Sequence, residues 1–240
     1  MSALADLEIT LRRDHAIGRL AETHSHRAER EDSMGVIRGR DAIEERWVAE
    51  DPHPVVIDAD FGDMISFTAG EGDRCWRGQR WVTREDNRIV REIVIEARPR
   101  AIDPPLLHPP LGELRAGRGQ FGAGPSAVLP LGFAEEARAV ADRLHRVWNG
   151  RLFDEGAESW VVPLIRKLPD ATFYFERALV DGRDVALLWR VHGHDGSGRR
   201  IRLLGGTIVR HGAAADSVLD ISAAEAQVSA RHIDPQAATF

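Results

Sequence analysis

A chain of 240 residues is long enough for one large domain or two of about 100–120 residues each. Its 43% hydrophobic content is ordinary for a globular protein, and its net charge of −6 is spread as finely alternating arginines and acids. That excludes a nucleic-acid groove, which needs basic residues gathered on one face, and reads the arginines as a solvated, ion-paired surface.

The first stretch, Ala3 to Ala21, carries Leu4, Leu7, Leu11, Ile17 and Leu20 at helical spacing, with an imperfection at Gly18. Thr23 to Ser33 is polar. Its His24-Ser25-His26 would share a face only in an extended strand, and surface histidines are the expectation. Gly39-Arg40-Asp41-Ala42-Ile43-Glu44-Glu45-Arg46-Trp47 predicts a short helix, stopped by Asp51-Pro52-His53-Pro54. Strands follow at Val55–Phe61, Met64–Thr68, Arg74–Thr83 and Arg88–Ala97, the last two joined by an Asp86-Asn87 turn. Apolar residues fall on both faces of the last strand, so both sides of this sheet are expected to be covered. The lone cysteine, Cys75, lies beside Trp76 and reads as a small buried apolar residue. With one cysteine no intrachain disulfide can form, and a reducing compartment is the default.

Pro99 to Gly132 breaks the composition, holding seven of the twelve prolines and six glycines. Such punctuation reads as an irregular linker, and Leu106, Leu107 and Leu111 suggest that it packs on a domain. Ala134 to Trp148 is the clearest helix, with Glu135 and Glu136 at its start, an apolar stripe, and Asn149-Gly150 as its stop. A second helical period runs from Asp154 to Leu168 and is interrupted by Pro163. Beyond Pro169, three β-rich runs separated by Asp181-Gly182 and Gly196-Ser197-Gly198 read as an antiparallel meander.

The two halves share an order of elements: helices, a proline, then strands. The run from Leu168 through Gly212, with Asp220 and then Gln227 seven residues later, resembles the SnoaL-like branch of the NTF2-like superfamily, which includes polyketide and ester cyclases. The motifs are Pro169-Asp170 before a strand, Gly182-Arg183-Asp184-Val185-Ala186 with Leu188-Trp189-Arg190, and Gly198-Arg199-Arg200. Gly39-Arg40-Asp41-Ala42-Ile43 resembles the family's helix start in the first half. The family's Gly-Thr-His segment reads Gly193-His194-Asp195 here, and the first half lacks a Gln at family spacing after Glu96, so it looks degenerate as a site.

The resemblance implies an α+β chain of two NTF2-like cone folds, each a curved antiparallel sheet on helices. Their boundaries would be 1–98 and 134–240, joined by a 99–133 linker. It also implies a pocket for a small hydrophobic carbonyl compound and no cofactor. Asp220, flanked by Val218, Leu219 and Ile221, would be the buried general acid/base; a strand-end cap is its plainer role. His192 and His194 share a strand face and are further catalytic candidates, against the plainer reading as rim histidines. Tyr174, Trp189, Arg190 and Trp160 are candidates for the substrate pocket, and no metal site is expected. A cyclase, isomerase or lyase and a non-catalytic ligand-binding or assembly module both stay open. The partners expected are a small hydrophobic molecule and the chain's own second domain, as an intramolecular pseudo-dimer. Nucleic acid and membrane are not expected: no apolar run approaches the ~20 residues a crossing needs. Nothing in Met1 to Thr10 suggests export, and a cytoplasmic location is the expectation.

Overall fold

The computed structural model describes residues 1–32, 35–97, 132–153, 160–194, 198, 200–211 and 215–219. It forms two compact units, one over Met1–Pro99 and one taking in Arg100–Ser217. Each is an α+β body. The expected packing of Leu106, Leu107 and Leu111 lies outside the described residues, as do Asp220 and Gln227.

In the first unit the expected opening helix is two. Helix α1 spans Ala3–Asp14, capped by the Ser2 side chain, and α2 spans Arg19–Thr23. His15 takes a left-handed backbone (φ 50°), and the Ala16 N–H returns to the Thr10 carbonyl, so α1 closes before Gly18 is reached. Strands β1 (His24–Asp32) and β2 (Gly35–Arg38) follow, then α3 (Arg40–Val48). The meander β3 (Val55–Asp60), β4 (Met64–Ala69), β5 (Trp76–Glu85) and β6 (Arg88–Ala97) completes a six-stranded sheet of order β2-β1-β6-β5-β4-β3. The β1–β6 pairing is parallel; the other pairings that set the register are antiparallel. Asp86 and Asn87 both have positive φ (48° and 61°) between paired Glu85 and Arg88, the backbone a two-residue type I′ turn requires.

The α1 stripe Leu4, Leu7 and Leu11 packs into the core with Ile43, Trp47, Ile65, Phe67 and Val82. On the opposite face of the sheet Gln79, Trp81 and Ile95 are buried too. Cys75 departs from expectation. It is exposed at the end of a 3-10 turn, Gly72–Arg74, just before β5 begins.

In the second unit, α4 (Glu135–Trp148) and α5 (Val161–Lys167) precede β7 (Thr172–Asp181), β8 (Asp184–His194), β9 (Arg200–Val209) and β10 (Ala215–Leu219). Pro163 falls in the first turn of α5, where its missing N–H breaks no helical hydrogen bond. The sheet order is β10-β9-β8-β7. Gly182, with φ 60° at the first central position, turns β7 into β8 between paired Asp181 and Asp184. Helix α4 packs on β7 and β8 through its stripe of Ala137, Ala141, Leu144, Val147 and Trp148. Asn149 fastens the helix end to the sheet. Its Nδ2 donates to the Phe173 carbonyl (2.9 Å), and its Oδ1 accepts from the Phe173 N–H (2.8 Å).

The two units share one local device. In β4–β5, Phe67 is paired with Gly78, and a Cβ on that glycine would lie 2.3 Å from the Phe67 ring. In β8–β9, Trp189 is paired with Gly205, and a Cβ there would lie 2.2 Å from the Trp189 ring. In each unit an aromatic ring lies over a glycine of the next strand, where only a hydrogen fits.

Candidate functional site

The glycines locate the polar centre of each unit. Two residues beyond an aromatic-covered glycine, the strand presents its next side chain on the same face. In the second unit that residue is Thr207, and in the first it is Arg80.

Thr207 borders an aromatic cluster. Trp148 meets Trp160, Phe173, Phe175 and Trp189 at ring-centroid distances of 5.0–5.7 Å. Trp160 lies nearly parallel to Trp189, 5.3 Å away and 4° off plane. Trp148, Phe173 and Trp189 are fully buried, whereas Trp160 is half-buried. The Trp189 Nε1–H donates to Thr207 Oγ1 at 2.9 Å, and Thr207 Oγ1 lies 2.6 Å from Ser217 Oγ. A hydroxyl pair therefore borders the five-ring cluster at Trp189. Apolar walls with few placed polar groups are the usual make-up of a small-molecule site.

The candidate residues divide between the faces of this sheet. Trp189 and Trp160 belong to the ring cluster. Tyr174, Arg190 and His192 lie on the other face of β7 and β8, since Tyr174 pairs with Arg190 and Thr172 with His192. There the Tyr174 and His192 rings meet at 5.2 Å, and the Arg190 Nε–H donates to Glu176 at 2.7 Å. Partial burial, and then Arg202, Arg200 and Arg190, push the His192 imidazole below its ordinary value. His194, exposed at the end of β8, is held by Asp170: Nδ1 to Oδ2 at 2.6 Å and backbone N–H to Oδ1 at 2.6 Å. Burial works to raise the Asp170 carboxyl, but the His194 hydrogen bonds outweigh it and hold the group below the usual aspartate range. The structure thus groups Trp160 with Trp189, and Tyr174 with Arg190 and His192. Asp220 follows β10 and lies outside the described residues.

In the first unit the equivalent centre is charged, and the sequence reading passed over it. Arg80 is fully buried. It donates to Glu92 from Nε (2.9 Å) and from Nη2, and to Glu8 Oε2 from Nη1 (2.7 Å). Glu8 also pairs with Arg12 one turn along α1, and Arg12 continues to Glu96. His24 Nε2 lies 3.3 Å from Glu92, and the Arg30 Nη1 lies 3.7 Å from the other Glu92 oxygen. Arg12, Arg30 and Arg80 place their guanidinium carbons 4.9–5.2 Å from the Trp47 ring centre. Burial alone would raise the Glu92 carboxyl, but Arg80, His24 and Arg30 outweigh it and hold the group far below the usual carboxylate range. Burial likewise works against the Arg12 charge, and Glu8, Glu96 and Glu50 overcome it, pushing its pKa upward.

Two expectations are corrected here. Arg12, Arg30 and Arg80 are interior residues rather than a solvated surface, and His24 is buried while His26 alone is exposed. The usable signal was Glu8 and Arg12 on the Leu4/Leu11 face of a helix, and Arg80 between Gly78 and Val82 on the core face of a strand.

No family model matches the sequence, and no curated protein matches it. The solved structures to which this one is similar include three. One is a protein from Sphaerobacter thermophilus, at 17% identity and TM-score 0.34, covering 41% of this chain and 99% of that one. A second, from Kribbella flavida, is described as a ketosteroid isomerase, at 21% identity and TM-score 0.35, covering 47% of this chain and 84% of that one. The third, from Acidithiobacillus ferrooxidans, is described as a polyketide cyclase, at 16% identity and TM-score 0.34, covering 40% and 95%.

Proposed function

We propose that the second unit binds a small, flat hydrophobic carbonyl compound, and that the first is an ion-paired copy of the same fold retained as scaffold. The observation that carries this reading is the cluster of Trp148, Trp160, Phe173, Phe175 and Trp189, with the Thr207–Ser217 hydroxyl pair hydrogen-bonded to its Trp189. The rings supply apolar and stacking surface, and the hydroxyls supply polarity for a ligand carbonyl. The matched devices Phe67/Gly78 and Trp189/Gly205 support a relation between the units. Binding is tested by titrating the chain with a hydrophobic cyclic ketone and following tryptophan fluorescence. Trp160→Ala is expected to weaken binding at least tenfold; a wild-type chain whose fluorescence ignores such ketones ends the reading.

Where the unit is catalytic, Asp220 is the general acid/base. Its carboxylate removes a proton from the carbon next to the ligand carbonyl and returns it elsewhere on the same molecule, a balanced isomerisation without cofactor. Asp220→Asn would then abolish turnover while leaving the melting temperature within a few degrees, and full activity in that variant sinks the assignment. The placement of His192 on the face opposite the rings favours the second reading, a binding or assembly module without catalysis. The sequence pattern, apolar on both strand faces, also supports pairing of the two units as an intramolecular pseudo-dimer. A linker of this length holds them at an effective concentration of about millimolar. A 134–240 fragment should then aggregate or dimerise, and a stable monomer at micromolar concentration rules the pairing out.

A further inference from the structure

Positive charge gathers at one end of the second unit's sheet. On the face of β8 and β9 turned away from the rings, His192 is paired with Arg202 and His194 with Arg200. Opposite charges stabilise directly opposed cross-strand residues, and like charges destabilise them. Here two successive rows set histidine against arginine. Arg190 lies on the same face beside His192 and donates to Glu176 of β7. Partial burial first, and then Arg202, Arg200 and Arg190, lower the His192 imidazole, so three guanidinium charges reach that ring. His194, Arg200 and Arg202 are exposed, and His192 is half-buried. Asp170 fixes His194 through its Nδ1 and its backbone N–H, and Gly193 leaves room for the loop that carries it: a Cβ there would lie 3.1 Å from Asp170 Oδ1. Among the described residues, the His192 ring and the Arg200 side chain have no hydrogen-bond or ion-pair partner, and His194 has none beyond Asp170.

We propose that His192 and Arg200, flanked by Arg202 and His194, form a binding site for a phosphate-type oxyanion. A guanidinium fork beside imidazole N–H donors is the recognition chemistry of phosphate. Positions two apart on a strand are ~6.6 Å apart, and a tetrahedral oxyanion with a ~2.8 Å hydrogen bond on either side spans both rows. The bound anion offsets the repulsion between the rows and favours the protonated His192 ring. The other charged or titratable groups facing that ring are Arg190 and His194 on β8, Arg200 and Arg202 on β9, and Tyr174 and Glu176 on β7. The Tyr174 ring, 43% exposed and 5.2 Å from the His192 ring, borders the site and offers a surface to an organic group carried on the phosphate. The site lies on the face opposite the ring cluster and does not depend on the function proposed for that cluster.

The test uses the full chain with inorganic phosphate, phenyl phosphate, sulfate and chloride at constant ionic strength. The imidazole resonances of His192 and His194 are followed by NMR, with calorimetry for affinity. Wild type is expected to bind inorganic phosphate at millimolar concentration, with the His192 resonance shifting on binding. Sulfate, dianionic throughout, should raise the His192 midpoint and bind several-fold tighter near pH 6 than near pH 8. Arg200→Ala should weaken phosphate binding at least tenfold, and Arg200→Lys, which keeps the charge and loses the fork, should weaken it less. Phenyl phosphate that binds tighter than inorganic phosphate, and loses the advantage in Tyr174→Ala, identifies the ligand as an organic phosphate ester; equal affinity identifies it as the free ion. A wild type whose His192 resonance responds to phosphate and sulfate no more than to chloride, or an Arg200→Ala variant that binds phosphate as wild type does, overturns the site.

Discussion

Replacing Arg80 with methionine removes the centre of the first unit's ion-pair network at nearly constant length. Glu8 and Glu92 both lose it, the first one hydrogen bond and the second two. Glu8 keeps its close pair with Arg12, whereas Glu92 retains only the longer contacts of His24 and Arg30 among the described residues. Removing one partner of a buried ion pair costs about 3–5 kcal/mol, because a carboxylate stays behind without its countercharge. In a unit of this size, at roughly 4–8 °C per kcal/mol, melting would fall by about 15 °C or more. Arg80→Met should be compared with the Glu8→Gln/Arg80→Met/Glu92→Gln triple variant, which carries no stranded charge and should recover much of the loss. Protection of the β5 and β6 amides reports on this unit alone. The deficit should also depend on pH. The native Glu92 carboxyl is depressed, so its contribution is complete above the unfolded value near ~4.3 and fades as pH falls below it. The gap between wild type and Arg80→Met should therefore narrow between pH 6 and pH 3. A deficit under about 1 kcal/mol at neutral pH, or one indifferent to acid, would refute the reasoning.

Gly205→Ala would drive a methyl group into the Trp189 ring and should cost about 1–3 kcal/mol or more in chemical denaturation, with Gly205→Ala/Trp189→Leu milder than the sum of the single changes. Asn149→Ala strands the buried Phe173 N–H and carbonyl together, a loss on the order of 2–4 kcal/mol that equilibrium unfolding would detect. His192 should titrate below a free histidine in an NMR series, and Arg202→Ala should move its midpoint upward; an unshifted resonance in both proteins contradicts the electrostatics.

The parts of the fold that were legible carry their signal locally. The Asp86-Asn87 turn, the α4 stripe and the strands from Val55 to Ala97 are written in neighbouring residues. Strand β1 was not legible, because His24–Asp32 has one apolar residue, Ala28, and its pairing with β6 depends on residues more than 50 positions away. The charged centre escaped for the same reason. Glu8 and Arg80 are 72 residues apart, and each looks like a surface charge until the other is beside it. At the candidate site the aromatic half, Trp160 with Trp189, came through the resemblance. Thr207 did not, since a threonine in a strand carries no mark of its own until Trp189 is seen to donate to it. Alternation put His192 and Trp189 on opposite faces from the start, yet no local feature told which face was lined by rings.

The parallel pairing of β1 with β6 sets an order of assembly. The β5–β6 hairpin can close on its own within microseconds, with its type I′ turn and its Arg80–Glu92 contact both internal to it. The N-terminal segment supplies Glu8, Arg12, His24 and Arg30, and it is expected to wait for that hairpin, because among the described residues β1 pairs only with β6 and the edge strand β2. Though made earlier on the ribosome, this segment is expected to dock last, its charges staying in water until the receiving strand exists. Burying them in one late step ties helix, strand and hairpin into a single cooperative event. Pulse-labelled hydrogen exchange should find β5 and β6 protected before α1 and β1; protection of the N-terminal segment first would reverse that order.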